Sequence, residues 1–314
     1  MRFDQRVAIV TGAGNGLGRA YAEYLGKLGA NVLVNDPQAS AADDVVQRLG
    51  GGGKAVANYD SVVEGHKVVD AALQKWGRVD ILVNNAGIIQ DSSFAKMAQQ
   101  QWDDVYKVHL EGTMRMTKAS WGVMREQEFG RIVNVASASG LYGNFGQANY
   151  SAMKLGIAGL TFTLCKEGYK RNIMANVVAP LAKSQMTDGL LEKELNDKLT
   201  PESVAAFVAY LCHETCDRTG NVYEVGGGWV AQTRWQRSRG VVFPKDELTL
   251  EKIASQIDEI EEHQCSIVNV TRKNPDKIGP HMLDDLSRLI DVHSEVEDRD
   301  DNAGKPTIGR AQRS

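Results

Sequence analysis

The sequence predicts an α/β fold: a doubly wound, mostly parallel sheet forming a single domain, with a helical C-terminal extension. Three observations predict it. Short apolar runs alternate with segments of helical period through the first 235 residues, and the first run leads into a glycine-rich turn. The polar residues able to do chemistry, Asp36, Asp60, Asn85 and Ser137 among them, follow the runs directly. The carboxyl ends of parallel strands would gather them at one crevice.

The first run, Val7-Ala-Ile-Val10, reads as a strand and is followed by Thr11-Gly12-Ala13-Gly14-Asn15-Gly16-Leu17-Gly18. Tyr21, Leu25 and Leu28 then recur at helical spacing. A second strand ends at Asp36, and further strands are predicted near Ala55, Ile81, Ile132 and Met174, with Val222–Val225 the last. No internal repeat interrupts this order, which assigns residues 1–235 to one domain. After Trp235 the character changes. A helix is predicted over 250–262 with Ile253, Ile257 and Ile260 on one face and Thr249 as its cap. A second amphipathic segment, 282–290, carries Leu286 and Leu289. Residues 236–293 therefore read as a helical extension, and 294–314 as a polar tail or linker.

A strand, a glycine-rich turn and a helix in succession form a Rossmann-type dinucleotide site. Glycines permit the tight turn and let backbone N–H groups approach a pyrophosphate, while the helix N-terminus favours its charge. Gly12, Asn15, Gly16, Leu17 and Gly18 are the candidate cofactor loop. Asp36, at the end of the second strand, can accept hydrogen bonds from ribose hydroxyls and would repel a 2′-phosphate, which argues for NAD over NADP.

Ser137 and the Tyr150-Ser-Ala-Met-Lys154 segment bring a hydroxyl, a phenol and an ammonium within reach of one carbonyl. Residues four apart share a helix face with Cβ atoms about 5–6 Å apart, so the Lys154 charge can act on the Tyr150 phenol. A phenol of pKa ~10 is a poor base, and a neighbouring cation lowers that value. Ser137 follows the run Arg131–Val135, a predicted buried strand, and could hold the substrate oxygen.

Composition narrows the class. The net charge of −4, without a basic stripe, gives no reason to expect nucleic acid. No stretch is long enough for a membrane span, and no metal site is predicted. Cys165, Cys212, Cys216 and Cys265 are scattered, which fits a reducing compartment; a helix would put Cys212 and Cys216 on one face, read as packing rather than zinc. Arg234, Arg237 and Arg239 are read first as a solvated edge and second as contacts for coenzyme A phosphates.

Thr11-Gly-x-x-x-Gly16-x-Gly18, Asn84-Asn85-Ala86-Gly87, Ser137 and Tyr150-x-x-x-Lys154 together resemble the short-chain dehydrogenase/reductase family over about the first 235 residues. The segments Leu141–Tyr150, Tyr59–Val62, Ser93–Met97 and Val225–Trp229 resemble, within it, the (3R)-hydroxyacyl-CoA dehydrogenase domains of peroxisomal multifunctional enzymes. The resemblance implies NAD-dependent oxidation of a 3-hydroxyacyl-CoA in fatty-acid β-oxidation, a homodimer, and association with other β-oxidation domains or enzymes. It implies a peroxisomal location, with the cytoplasm as alternative, although Ala311-Gln-Arg-Ser314 does not match a Ser-Lys-Leu signal. It further implies that Asp60, Ser61 and Val62 line the adenine pocket, that Asn85 touches the cofactor ribose, and that Ala182, Lys183, Ser184 and Gln185 wall the nicotinamide. His109 stands where the family usually has a catalytic Asn, and Leu181 where it usually has Gly. A ring nitrogen or the backbone carbonyl of His109 is expected to hold a water linking Lys154 to solvent. A fragment or shortened form of a multidomain protein is expected. Two other functions fit the residues: a dehydrogenase for another secondary alcohol, such as a steroid or polyol, and a non-catalytic NAD-binding assembly protein.

Overall fold

The strands at the sheet's centre are mostly apolar on both faces, as a sheet covered by helices on each side requires, with buried polar exceptions such as Arg131, Asn134 and Asn176. The computed structural model describes residues 1–51, 53–181, 199–244 and 247–262. Eight strands lie in the order β3-β2-β1-β4-β5-β6-β7-β8. They are β1 (Val7–Thr11), β2 (Asn31–Asn35), β3 (Ala55–Asn58), β4 (Ile81–Asn84), β5 (Gly130–Val135), β6 (Ile173–Pro180), β7 (Val222–Gly226) and β8 (Trp229–Thr233). All pairs are parallel except β7 with β8. The strand order reverses between β1 and β4, so the crevice above that junction is the natural ligand position.

One face of the sheet is covered by α1 (Gly16–Lys27), α2 (Ala39–Arg48) and α8 (Glu202–Cys212), which bury Tyr21, Leu25, Val45, Val204 and Val208 against Val10, Val32 and Val133. The opposite face takes α3 (Gly65–Trp76) and α5 (Gly112–Glu126) through Val68, Val69, Met116 and Met124. Each such side chain, fully buried, contributes about 1.5–3 kcal/mol. Among the described residues this unit also has the α-helices α4 (Gln99–Tyr106), α6 (Ala138–Tyr142) and α7 (Ala148–Gly168), with α7 burying Met153, Ile157 and Ala158. At the amino ends of the strands, the buried Asp80 carboxylate accepts from Arg6 (2.9 Å), Arg78 (2.6 Å) and the Val7 amide (2.9 Å). Three donors on one carboxylate satisfy a charge that would otherwise be costly inside.

Three expectations are corrected. The sheet does not end at β7: Gly227 and Gly228, both with positive φ (58° and 85°), turn the chain tightly into antiparallel β8. The helix expected over 250–262 breaks at Gln256 (φ −116°, ψ 12°) into α9 (Leu250–Ser255) and α10 (Ile257–Glu261), although Thr249 does cap the first, accepting from the Lys252 amide at 3.2 Å. Cys212 and Cys216 do not share a helix face, because α8 stops at Cys212 and His213 is extended.

Residues 1–234 belong to one compact unit, and a second begins at Trp235. Within the second, the Ser238 hydroxyl donates to the Ile260 carbonyl. Arg234, Arg237 and Arg239 are exposed. The amphipathic segment 282–290 and the tail 294–314 lie outside the described residues. Among the described residues no helix is long and apolar enough to cross a membrane.

Candidate active site

The glycine loop leaves β1 at its carboxyl end and is held by its neighbours on β4. The Thr11 hydroxyl accepts from the amides of Asn85 (3.0 Å) and Ala86 (3.1 Å), while the Asn85 side-chain amide donates to the Thr11 and Gly12 carbonyls at 3.0 and 3.1 Å. Asn85, expected to touch ribose, thus spends its side-chain amide on shaping the loop. A Cβ at Gly18 would stand 2.1 Å from the Gly12 oxygen, so no larger residue fits there. Gly16 differs: its φ is +53°, and a Cβ would meet nothing within 4 Å. Its open face adjoins the first turn of α1, whose amides have no intrahelical partner, and Asn15 at the N-cap makes no side-chain cap. An open concavity lined by free N–H groups, beginning at Gly16 and Leu17, fits a dinucleotide's pyrophosphate.

Asp36 lies across the loop, accepting from the amides of Gly14 (2.9 Å) and Gln38 (3.0 Å). Farther along this edge, Asp60 accepts from the Asn58 amide group at 2.8 Å, and Asn35 reaches both Asn58 and the Asp60 carbonyl at 2.8 Å. Ser61 accepts from the Val63 amide and Val62 is buried, so the expected adenine-side residues form one ordered edge.

The catalytic candidates converge on the other side of the crossover. Ser137 follows β5 and caps α6, accepting from the Ser139 amide at 3.2 Å. Tyr150 stands in the first turn of α7, whose start is fixed by buried Asn149. The Asn149 side chain donates to the carbonyls of Gln90 and Gln101, both at 3.1 Å, and accepts from the Tyr150 amide at 2.7 Å. The Ser137 side chain lies close enough to the Tyr150 phenol to lower its pKa. Lys154 lies with its Nζ 5.5 Å from the Tyr150 ring centroid and donates to the Val135 carbonyl at 2.7 Å.

Burial dominates the electrostatics here. It raises the Tyr150 pKa above the phenol's ordinary value, partly offset by the Ser137 side chain and reinforced by the Asp91 charge. It pushes Lys154 down to about 7. The direction of the Tyr150 shift is thus set by burial, and the Lys154 charge is not among its causes. The ammonium is itself desolvated, and its short bond goes to a backbone carbonyl rather than to the phenol.

His109 lies in a π-helical turn, Lys107–Glu111, between α4 and α5. Its Nε2 is 2.9 Å from the Ile88 amide and 2.7 Å from the Ile88 carbonyl oxygen, while Nδ1 is buried without a partner. The ring meets Tyr150 edge-on, with centroids 5.2 Å apart. A Cβ at Gly87 would lie 2.4 Å from this ring, which explains the glycine. Burial, followed by the Lys154 charge, drives the imidazole pKa down to about 3, so the ring is neutral through the physiological range.

The expected nicotinamide wall, Ala182, Lys183, Ser184 and Gln185, lies outside the described residues. Leu181 precedes it and fits the sheet, donating to the Val225 carbonyl at 2.7 Å. Among the described residues no group of three His, Cys, Asp or Glu side chains is placed to hold a metal. Sequence reasoning missed the polar chain beneath the site. Asn84 donates to Asn134 (2.8 Å) and Thr117 (3.1 Å), and Asn134 donates to Thr161 (2.9 Å). Its only sequence signal was an Asn in each of two otherwise apolar strands.

A doubly wound sheet with a glycine loop at its crossover, and Ser137, Tyr150 and Lys154 together at its carboxyl edge, defines an oxidoreductase that uses a nicotinamide dinucleotide. The short chain dehydrogenase family model matches residues 6–195, and the chain belongs to that family. It is 51% identical over 255 residues to the mouse peroxisomal multifunctional enzyme type 2, covering 78% of this chain but 35% of that protein. A Mycobacterium tuberculosis short-chain type dehydrogenase/reductase is 47% identical over 253 residues, covering 76% of this chain and 88% of that protein. The solved full-length peroxisomal multifunctional enzyme type 2 of Drosophila melanogaster superposes with a TM-score of 0.78 at 35% identity, covering 94% of this chain and 51% of that one. The chain thus spans about a third of the mouse relative's length.

Proposed function

We propose that the protein oxidises (3R)-3-hydroxyacyl-CoA to 3-ketoacyl-CoA with NAD. The observation that carries the chemistry is the gathering of Ser137, Tyr150 and buried Lys154: Ser137 is near enough to lower the phenol's pKa, and the Lys154 Nζ stands 5.5 Å from the Tyr150 ring centroid. When bound, NAD supplies the hydride acceptor for C3 of the substrate. Tyr150 takes the hydroxyl proton as general base, and Ser137 orients the hydroxyl oxygen. Lys154, when protonated, favours the phenolate and binds the nicotinamide ribose. Asp36 supports NAD over NADP, since its carboxylate would face a 2′-phosphate at close range. His109 contributes as the anchor of the relay water, through its backbone carbonyl in the π-helical turn or through Nδ1, since only Nε2 is engaged by Ile88.

The substrate class rests on likeness to the multifunctional relatives, and the same likeness supports β-oxidation as the process. The relatives' names support a peroxisomal location, the family a homodimer, and the relatives' greater length a partnership with other β-oxidation domains. An assay at 340 nm with resolved (3R) and (3S) hydroxyacyl-CoAs of several lengths tests the proposal. NADH production from the (3R) series is expected. Activity confined to (3S) thioesters would overturn it.

A further inference from the structure

An acidic side chain on a strand of a covered sheet needs an explanation, and β7 carries one. Glu224 is 9% exposed between Val222 and Val225, both buried. Its neighbours in register are Ala179 on β6 and Ala231 on β8. Residues opposite one another on paired strands point to the same face, so two alanines leave a notch around the carboxylate. Two hydroxyls enter that notch: Tyr142 and Thr233 donate to the same carboxylate oxygen, Oε1, at 2.5 and 2.6 Å.

Tyr142 is the last residue of α6, and Ser137 is the residue that caps the start of the same helix. The Tyr142 residue is 66% exposed, so its ring is held by the bond at its tip more than by burial. A helix of five residues cannot sustain itself, because nucleation costs more than so few hydrogen bonds return. The chain leaves it through Gly143 at φ +79°, which continues no helix. Tertiary contacts therefore set its pose: Leu141 packs with Ala136, Ala158, Val177 and Val222, and two further contacts act along the helix. At its middle, Gly140 lies so close to α7 that a Cβ would stand 2.7 Å from Lys154 Cβ. At its end, Tyr142 is tied to Glu224. The first contact seats α6 on the turn that carries Lys154; the second fixes rotation about that seat.

We propose that Glu224 is a positioning residue for the reaction: by holding the Tyr142 hydroxyl it fixes the pose of α6, and so aligns the Ser137 hydroxyl with Tyr150. The inference rests on the roles given above to Ser137 and Tyr150. It adds a residue that meets α6 at the end opposite Ser137 and acts through Tyr142.

The test measures kcat and KM with one (3R)-3-hydroxyacyl-CoA and NAD for Tyr142→Phe, Glu224→Ala, Glu224→Gln and the Tyr142→Phe/Glu224→Ala double variant, with Ser137→Ala and Tyr150→Phe alongside. Tyr142→Phe removes one oxygen from an exposed ring, so its folding is not at stake. A small misplacement of a reacting group is felt strongly, and kcat should fall roughly tenfold or more in Tyr142→Phe and Glu224→Ala while KM for NAD stays within about threefold. Glu224→Gln keeps an acceptor oxygen and should recover most of the rate. The double variant should be no worse than the worse single one, as for two ends of one bond. Wild-type kcat in Tyr142→Phe and Glu224→Ala, or losses that multiply in the double variant, would overturn the proposal. If Ser137→Ala or Tyr150→Phe retained wild-type turnover, the underlying reading would fall instead, and the two failures would be told apart.

Discussion

The Lys154 ammonium is bound to the Val135 carbonyl at 2.7 Å, on the strand that delivers Ser137, while standing 5.5 Å from the Tyr150 ring centroid. One side chain thus links β5 to the helix that presents the phenol. Its position makes it both a structural tie and an electrostatic neighbour.

Tyr150→Phe should lower oxidation of the hydroxyacyl substrate by about 100-fold or more, the usual contribution of a positioned general base. NADH should still bind, because the glycine loop is untouched. Turnover at 340 nm and NADH fluorescence titration check the two halves separately. Undiminished oxidation would remove Tyr150 from the role of base.

Lys154 ties the stability of the folded chain to pH. Its pKa falls from 10.5 to about 7 on burial, so between those values the unfolded chain binds the extra proton. The contribution of Lys154 to stability is fully present above about 10.5 and is lost as pH falls towards 7. Lys154→Met abolishes that dependence. The Tm difference, variant minus wild type, should decline steadily between the two pH values; a flat difference would count against the buried, depressed lysine.

Gly16 and Gly18 should fail in different ways. Gly18→Ala places a Cβ 2.1 Å from a backbone oxygen, so both Tm and dinucleotide affinity should drop. Gly16→Ala meets no atom, and its left-handed backbone costs only about 1–2 kcal/mol. The variant should fold yet bind NADH weakly, because the new methyl fills the concavity. Equal losses of Tm in both variants would contradict this distinction.

Asp36→Ser should shift coenzyme preference. Removal of the carboxylate relieves repulsion of a 2′-phosphate, and the ratio of kcat/KM for NADP to that for NAD should rise about tenfold or more. Some NAD affinity should also be lost, since Asp36 steadies Gly14 and Gln38. An unchanged ratio would dismiss Asp36 as the discriminator.

Much of the fold was legible because β1, β2 and β4 are compact apolar runs closed by a polar residue, and β5 and β6 are runs dominated by apolar residues. Ser137, Tyr150 and Lys154 were legible from the four-residue Tyr–Lys spacing and from the glycine loop and Asn84-Asn85-Ala86-Gly87 upstream, since each alone reads as ordinary helix or loop. β8 escaped notice because Trp229 and Val230 are exposed, which blurs alternation; the two glycines before them were the available signal. The π-helical turn at His109 left no trace, since Lys107-Val-His-Leu-Glu111 reads as ordinary helix. Its neutral ring and the direction of the Lys154 bond depend on burial by distant segments. Local spacing does not record that environment.

The stitching of Thr11 to Asn85 and Ala86 has a thermodynamic consequence. Its hydrogen bonds are internal to the chain, so the entropy of ordering the coenzyme cleft is settled during folding and not at each docking event. A coenzyme arriving at such a rigid cleft meets a ready-made receptor. Polypeptide far from the reacting carbon thereby governs how readily spent coenzyme is exchanged for fresh.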